Sequence, residues 1–210
     1  MRNLIAKAAI ASFATTLGVT AIALDPAQAT TFGLGGSFDL ESSFLYEEDG
    51  IGLTVTGVSQ SGPRDVVRSG LGLGVYGGFG DDFEVDGFGP NEGLKFLFDH
   101  TVSLVSATFS RVGFNDDFTL FIDGSIIGTT DIPGGSFFDN DFGTFFFPQA
   151  SFNEGNEFIF AATGSNDDFK LKRLKVEKVV DVPEPAAMLG LGAVAAAGLL
   201  AQKRSRKETA

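Results

Sequence analysis

The chain has 210 residues, 27 acidic against 15 basic side chains, a net charge of -12, no cysteine, no tryptophan and 23 phenylalanines. Without cysteine, disulfide staples, thiol catalysis and thiolate metal sites are excluded, and stability rests on packing. The acidity argues against phosphate-rich partners such as nucleic acid and favours divalent cations.

Arg2 and Lys7, an apolar stretch over 8–24, and then Ala27-Gln28-Ala29 follow the order of a secretory signal peptide, residues 1–29. Small residues Ala27 and Ala29 flank the cleavage position, which makes Thr30 the first mature residue; an uncleaved amino-terminal anchor is the competing reading. One exported domain follows over 30–181, with 24 acids and 9 bases and enough chain for a real core.

Within it, 30–48 reads as a glycine-broken edge strand leading to a turn at Glu47-Glu48-Asp49-Gly50. Ile51, Leu53 and Val55 alternate with polar residues and predict a strand, and 59–64 reads as loop. Leu71, Leu73 and Val75 alternate with glycines, and 81–92 is the longest loop inside the domain. Leu94, Phe96 and Phe98 mark a strand with an aromatic face, followed by a second long strand or two short ones over 102–112. Residues 118–129 form a hairpin about Asp123-Gly124, because Asp-Gly supplies the positive φ angles of a tight turn.

After Ile132-Pro133-Gly134-Gly135, a loop over 137–143 precedes strands near 144–147, 157–163 and 168–180. In the last strand, Phe169 and Leu171 share a face with Leu174 and Val176 only if Lys172-Arg173 contains an extra residue, which predicts a β-bulge there. No window of the domain has sustained helical periodicity. The expected fold is all-β, an antiparallel β-sandwich of jelly-roll type packed largely through phenylalanine.

A short unit recurs in the loops: Gly80-Asp81-Asp82-Phe83, Asn115-Asp116-Asp117-Phe118, Asn166-Asp167-Asp168-Phe169 and the looser Asp139-Asn140-Asp141-Phe142. The plain reading is a turn made by Asn and Asp followed by the first core side chain. The functional reading is calcium, since carboxylates and carbonyls are hard oxygen ligands; Asn115, Asp116 and Asp117 with Asn166, Asp167 and Asp168 are the candidates, provided folding brings the two turns together. His100, the only histidine, stands beside Asp99 and reads as a surface residue rather than a catalyst. No nucleophile elbow, phosphate loop or particular carboxylate pair is nominated, so the chain reads as non-catalytic.

The carboxyl end carries three features in order: Val182-Pro183-Glu184-Pro185, an apolar run over 186–201, and the basic cluster Lys203, Arg204, Arg206 and Lys207. The prolines keep the first segment extended. The run makes roughly 24 Å of helix against an apolar bilayer core of roughly 30 Å, short unless the basic residues snorkel. Their position puts the domain outside the cell by the positive-inside rule.

Over 182–207 the chain resembles the PEP-CTERM sorting domain of bacterial surface proteins. The resemblance implies that Pro183, Glu184 and Pro185 are the motif read by an exosortase-type processing enzyme, that 186–201 is a single transmembrane helix, and that 203–207 is its stop; Ser205 interrupts the basic cluster. Together the two ends imply the secretory translocon as a partner, a stay in the bacterial cytoplasmic membrane, and a final place at the cell surface or in extracellular matrix. Two other classes stay open for the domain: a carbohydrate-binding module, calcium-dependent in one form, that would meet extracellular polysaccharide, and a hydrolase.

Overall fold

The computed structural model describes residues 28–135, 141–148 and 153–179. The expected signal segment through Ala27, the sorting motif, the apolar run and the basic cluster lie outside the described residues. Among the described residues no helix is long and apolar enough to cross a membrane.

The described chain is all-β, as its alternation and turn spacing predict. Thirteen strands follow in order: β1 (Ala29–Gly33), β2 (Asp39–Glu41), β3 (Ser43–Glu48), β4 (Ile51–Ser59), β5 (Gly62–Ser69), β6 (Gly72–Tyr76), β7 (Val85–Asp86), β8 (Glu92–Val112), β9 (Asp117–Ile122), β10 (Ser125–Asp131), β11 (Asp141–Phe146), β12 (Glu154–Ala161) and β13 (Asp168–Lys178). All their pairings are antiparallel. The hydrogen-bonded order is β1-β13-β6-β5-β4-β8-β12-β9-β10, and β13 also pairs with β8, so β4, β5, β6, β13 and β8 form a closed circuit.

Local chemistry sets the hairpins. Asp49 and Gly50 have φ of 51° and 71°, and Asp123 and Gly124 have 47° and 77°, the two successive positive values that a two-residue hairpin turn of matching twist requires. Both turns lie where Asp-Gly predicts them. The expected loop at 59–64 is instead a tight hairpin, with Ser59 paired to Gly62. Ser59 Oγ accepts the Ser61 amide and donates to the Gly62 carbonyl, so the side chain closes the turn. Ser69 does the same with Leu71 and Gly72 at the next turn. Between these turns β5 carries Pro63, Arg64, Asp65 and Arg68, which hide its alternation, yet Val66 and Val67 are buried.

A second difference is β8, which runs unbroken for 21 residues where two or more strands were expected. The polar step Asp99-His100-Thr101 resembles a turn but is a bend within one strand: Leu97 pairs with Glu157 and Val102 with Gly155, so residues 98–101 face the single Asn156. The expected loop at 137–143 is also shorter at its far end, because β11 begins at Asp141. The bulge expected at Lys172-Arg173 is present, as a register shift between Leu171 and Arg173.

Phenylalanine holds the interior together. Phe109 stacks on Phe118 at 5.1 Å and meets Phe169 edge-on at 5.3 Å, while Phe160 touches Phe96 at 5.7 Å and Phe118 at 5.6 Å. These five rings come from β8, β9, β12 and β13, so one aromatic cluster ties strands distant in sequence.

Candidate functional site

The functional candidate grows out of the 77–92 connection between β6 and β8. Its middle is drawn onto β13 by the short strand β7, where Val85 pairs with Phe169 and Asp86 with Asp168. The Gly87 amide adds a bond to the Asp167 carbonyl at 2.9 Å. The connection also lies across β6, so tightly that a Cβ on Gly74 would stand 2.0 Å from the Phe83 carbonyl oxygen. Only glycine fits there.

Acids on this connection divide into two sets. Glu84 turns inward: its side chain is 2% exposed and accepts from Arg111 Nε at 2.6 Å. Burial pushes its carboxyl up to about 7, against the pull of Arg111. Lys170, also buried, donates from Nζ to the neighbouring Phe83 carbonyl, and burial lowers its pKa. Arg111 reaches Glu84 from a left-handed backbone, φ 62°, as the extra residue of β8 opposite the β11 register shift.

The second set faces a cleft of about 510 Å³. Asp81, Asp82 and Asp86 present carboxylate oxygens within 4.8 Å of one another. Each is fixed by main chain: Asp81 Oδ2 accepts the Gly77 and Phe83 amides at 3.0 and 3.2 Å, Asp82 Oδ1 the Glu84 amide at 3.4 Å, and Asp86 Oδ1 the Phe88 amide at 2.6 Å.

Glu92, the first residue of β8, lines the same cleft and is 5% exposed. Among the described residues its Oε2 is buried without a hydrogen-bond partner. Burial first, then the charges of Asp86 and Asp81, raise this carboxyl to about 7. A Cβ on Gly77 would meet Glu92 Oε1 at 2.7 Å and Asp81 Oδ1 at 3.4 Å, so the two carboxylates converge on that glycine. Among the described residues none of these four acids makes an ion pair. Arg64 stands on the cleft wall as its basic neighbour, and Phe79 and Phe88 project beside it, largely exposed.

The two turns singled out for calcium do come together. Asn115 Nδ2 donates to the Asn166 carbonyl at 3.0 Å, and the Asp117 amide reaches Asp167 Oδ1 at 3.4 Å. Their acids also serve the turns themselves: the Gly113 amide donates to Asp116 Oδ2, and the Gly164 amide to Asp167 Oδ2 at 2.6 Å. Asp116 and Asp167 are buried, and Asp168 sits on the β7–β13 pairing. Asn166, Asp167 and Asp168 also line the acidic cleft, whereas Asn115, Asp116 and Asp117 do not.

His100 Nδ1 donates to Asp99 Oδ1 at 2.6 Å, and Asp99 also accepts the Gly52 amide at 2.9 Å. The hydrogen bond from His100 holds the Asp99 carboxyl below its usual range. Both side chains are partly or largely solvent-exposed and act as a clasp between β8 and the start of β4.

The sequence signal for the cleft was the Asp81-Asp82 pair; the missed members are Asp86 and Glu92, the second ten residues from Asp82 and brought near by folding. Comparison of the chain with protein-family models gives no match, and comparison with curated proteins gives none either.

Proposed function

We propose that the chain is an exported, non-catalytic protein of the cell surface or extracellular matrix, delivered by its amino-terminal segment and sorted through its carboxyl end by an exosortase-type enzyme. The observation that carries this is the order of Val182-Pro183-Glu184-Pro185, an apolar run and a basic cluster behind a β domain. On this reading residues 1–29 are removed, 30–181 is the cargo, and 186–201 enters the cytoplasmic membrane with the domain outside.

The finer architecture belongs to the same proposal: an antiparallel β-sandwich of jelly-roll type. Its support is β8, which pairs with β4 and β12 along its first half and with β11 and β13 along its second, as a strand does when it turns a corner between two layers. Fractionation tests the sorting. Replacing Pro183 and Pro185 by Ala should change how much protein is released from the membrane; a cytosolic pool, or unchanged release, would contradict it.

A second reading has a specific observation behind it. Phe79 and Phe88 stand exposed on the walls of a polar cleft, an arrangement suited to stacking on a sugar ring while acids meet its hydroxyls. Carbohydrate binding predicts glycan-array signals that fall with EDTA and with Phe79→Ala; a blank array would retire it.

A further inference from the structure

We propose that Asp81, Asp82, Asp86 and Glu92 form a calcium site, with water completing the shell from the open side of the cleft. The proposal rests on the cleft alone, so its failure would leave the sorting proposal standing.

Two independent observations converge. The first is the aspartate trio, whose oxygens approach one another within 4.8 Å while main-chain amides hold one oxygen of each. Taken alone, that is a loop rich in acids. The second is Glu92: among the described residues its Oε2 is buried without a hydrogen-bond partner, and the Asp86 main chain and the Arg64 charge offset the burial of the carboxyl only in part, a cost proteins rarely carry unless a ligand completes the site. Glu84, on the same connection, shows the ordinary solution to burial, an arginine at 2.6 Å. Among the described residues no cation forms an ion pair with Glu92, although Arg64 lies on the same wall.

The irregularity of the ligand set selects the ion. Calcium tolerates irregular, partly hydrated shells, whereas magnesium demands a near-ideal octahedron. The aspartate oxygens, within 4.8 Å of one another on a non-repeating loop beside an open cleft, suit calcium. Binding would tie the 77–92 connection to the first residue of β8.

The test is thermal unfolding of the full chain, stripped with EDTA and followed by circular dichroism, with calcium or magnesium chloride added back. Calcium should raise the midpoint in a concentration-dependent way, and magnesium at equal concentration should raise it less. Glu92→Gln should melt no lower than the parent in EDTA, because it removes an unpartnered buried charge, yet lose the calcium response. Asp82→Asn, at an exposed position, should lose the response too, while Glu48→Gln on the β3–β4 hairpin keeps it. The proposal is overturned if calcium gives no rise, if magnesium gives an equal one, if the rise survives in Glu92→Gln or Asp82→Asn, or if Glu92→Gln is destabilised in EDTA.

Discussion

Lys172 on β13 and Val105 on β8 are each one residue too many for their ladder, and the second cancels the first. Leu171 pairs with Phe109 and Arg173 with Thr108, which leaves Lys172 over; Lys175 pairs with Ser106 and Val176 with Leu104, which leaves Val105 over. Both spare carbonyls are used elsewhere, Lys172's by the Leu34 amide and Val105's by the Phe147 amide, each at 3.0 Å. The first bulge lies where the outer edge of β13 passes from β6 to β1. It keeps Phe169, Leu171, Leu174 and Val176 on one buried face despite an odd spacing.

Deleting Lys172 should therefore cost far more than replacing it. Loss of the extra residue turns Leu174 and Val176, both fully buried, toward the wrong face, at about 1.5–3 kcal/mol for each side chain exposed. Lys172→Ala keeps the bulge and removes only the ammonium over the Phe142 ring and its bond to the Gly70 carbonyl, worth about 0.5–1 kcal/mol. Urea unfolding of the two variants checks the contrast.

Arg111→Ala should destabilise by about 2 kcal/mol, below the roughly 3–5 kcal/mol of a fully buried pair, because Arg111 is 39% exposed and Lys170 remains near Glu84. Adding Glu84→Gln to Arg111→Ala should recover part of the loss. A double-mutant cycle by chemical denaturation measures it, and a zero coupling would contradict the pairing.

Phe109→Ala should cost about 3–5 kcal/mol, since its ring meets Phe118, Phe160 and Phe169 and joins three other strands to β8. Phe114→Ala, at an exposed ring, should change stability by less than about 0.5 kcal/mol. Thermal or urea unfolding of both gives the comparison.

Asp123→Ala should weaken the β9–β10 end by about 1–2 kcal/mol. Asp123 holds φ 47°, and its Oδ1 accepts the Asn156 and Glu157 amides at 3.1 and 2.9 Å, joining the turn to β12. Asp123→Gly restores the backbone freedom but not those bonds, so it should recover only part of the loss. Hydrogen exchange at Asn156 and Glu157 localises the effect.

The parts of this fold that sequence displays are those set by nearest neighbours. Period-two burial along β4, Asp-Gly at two hairpins and the displaced phase of Leu174 and Val176 can each be read from a few adjacent residues. Sequence hid β5, because Pro63 and its charged neighbours mask two buried valines, and hid the continuity of β8, because a polar bend looks like a turn. Val105 was invisible for a different reason: its bulge answers one on another strand, a relation that exists only after pairing. The cleft was half legible. Asp81-Asp82 stands out, but the same unit at 115–117 and 166–168 looks alike in sequence, and only folding shows Asp116 and Asp167 accepting amides of their own turns while Glu92 joins Asp81.

The central claim is that the two ends are addresses and the β domain between them is cargo. Intact-mass measurement of the protein recovered from producing cells tests it most directly. The account predicts a chain that begins at Thr30 and whose carboxyl-terminal residue shifts, beyond the mass the substitutions themselves remove, when Pro183 and Pro185 are replaced by Ala; a chain that keeps residues 1–29, with the same carboxyl-terminal residue in both forms, would contradict it.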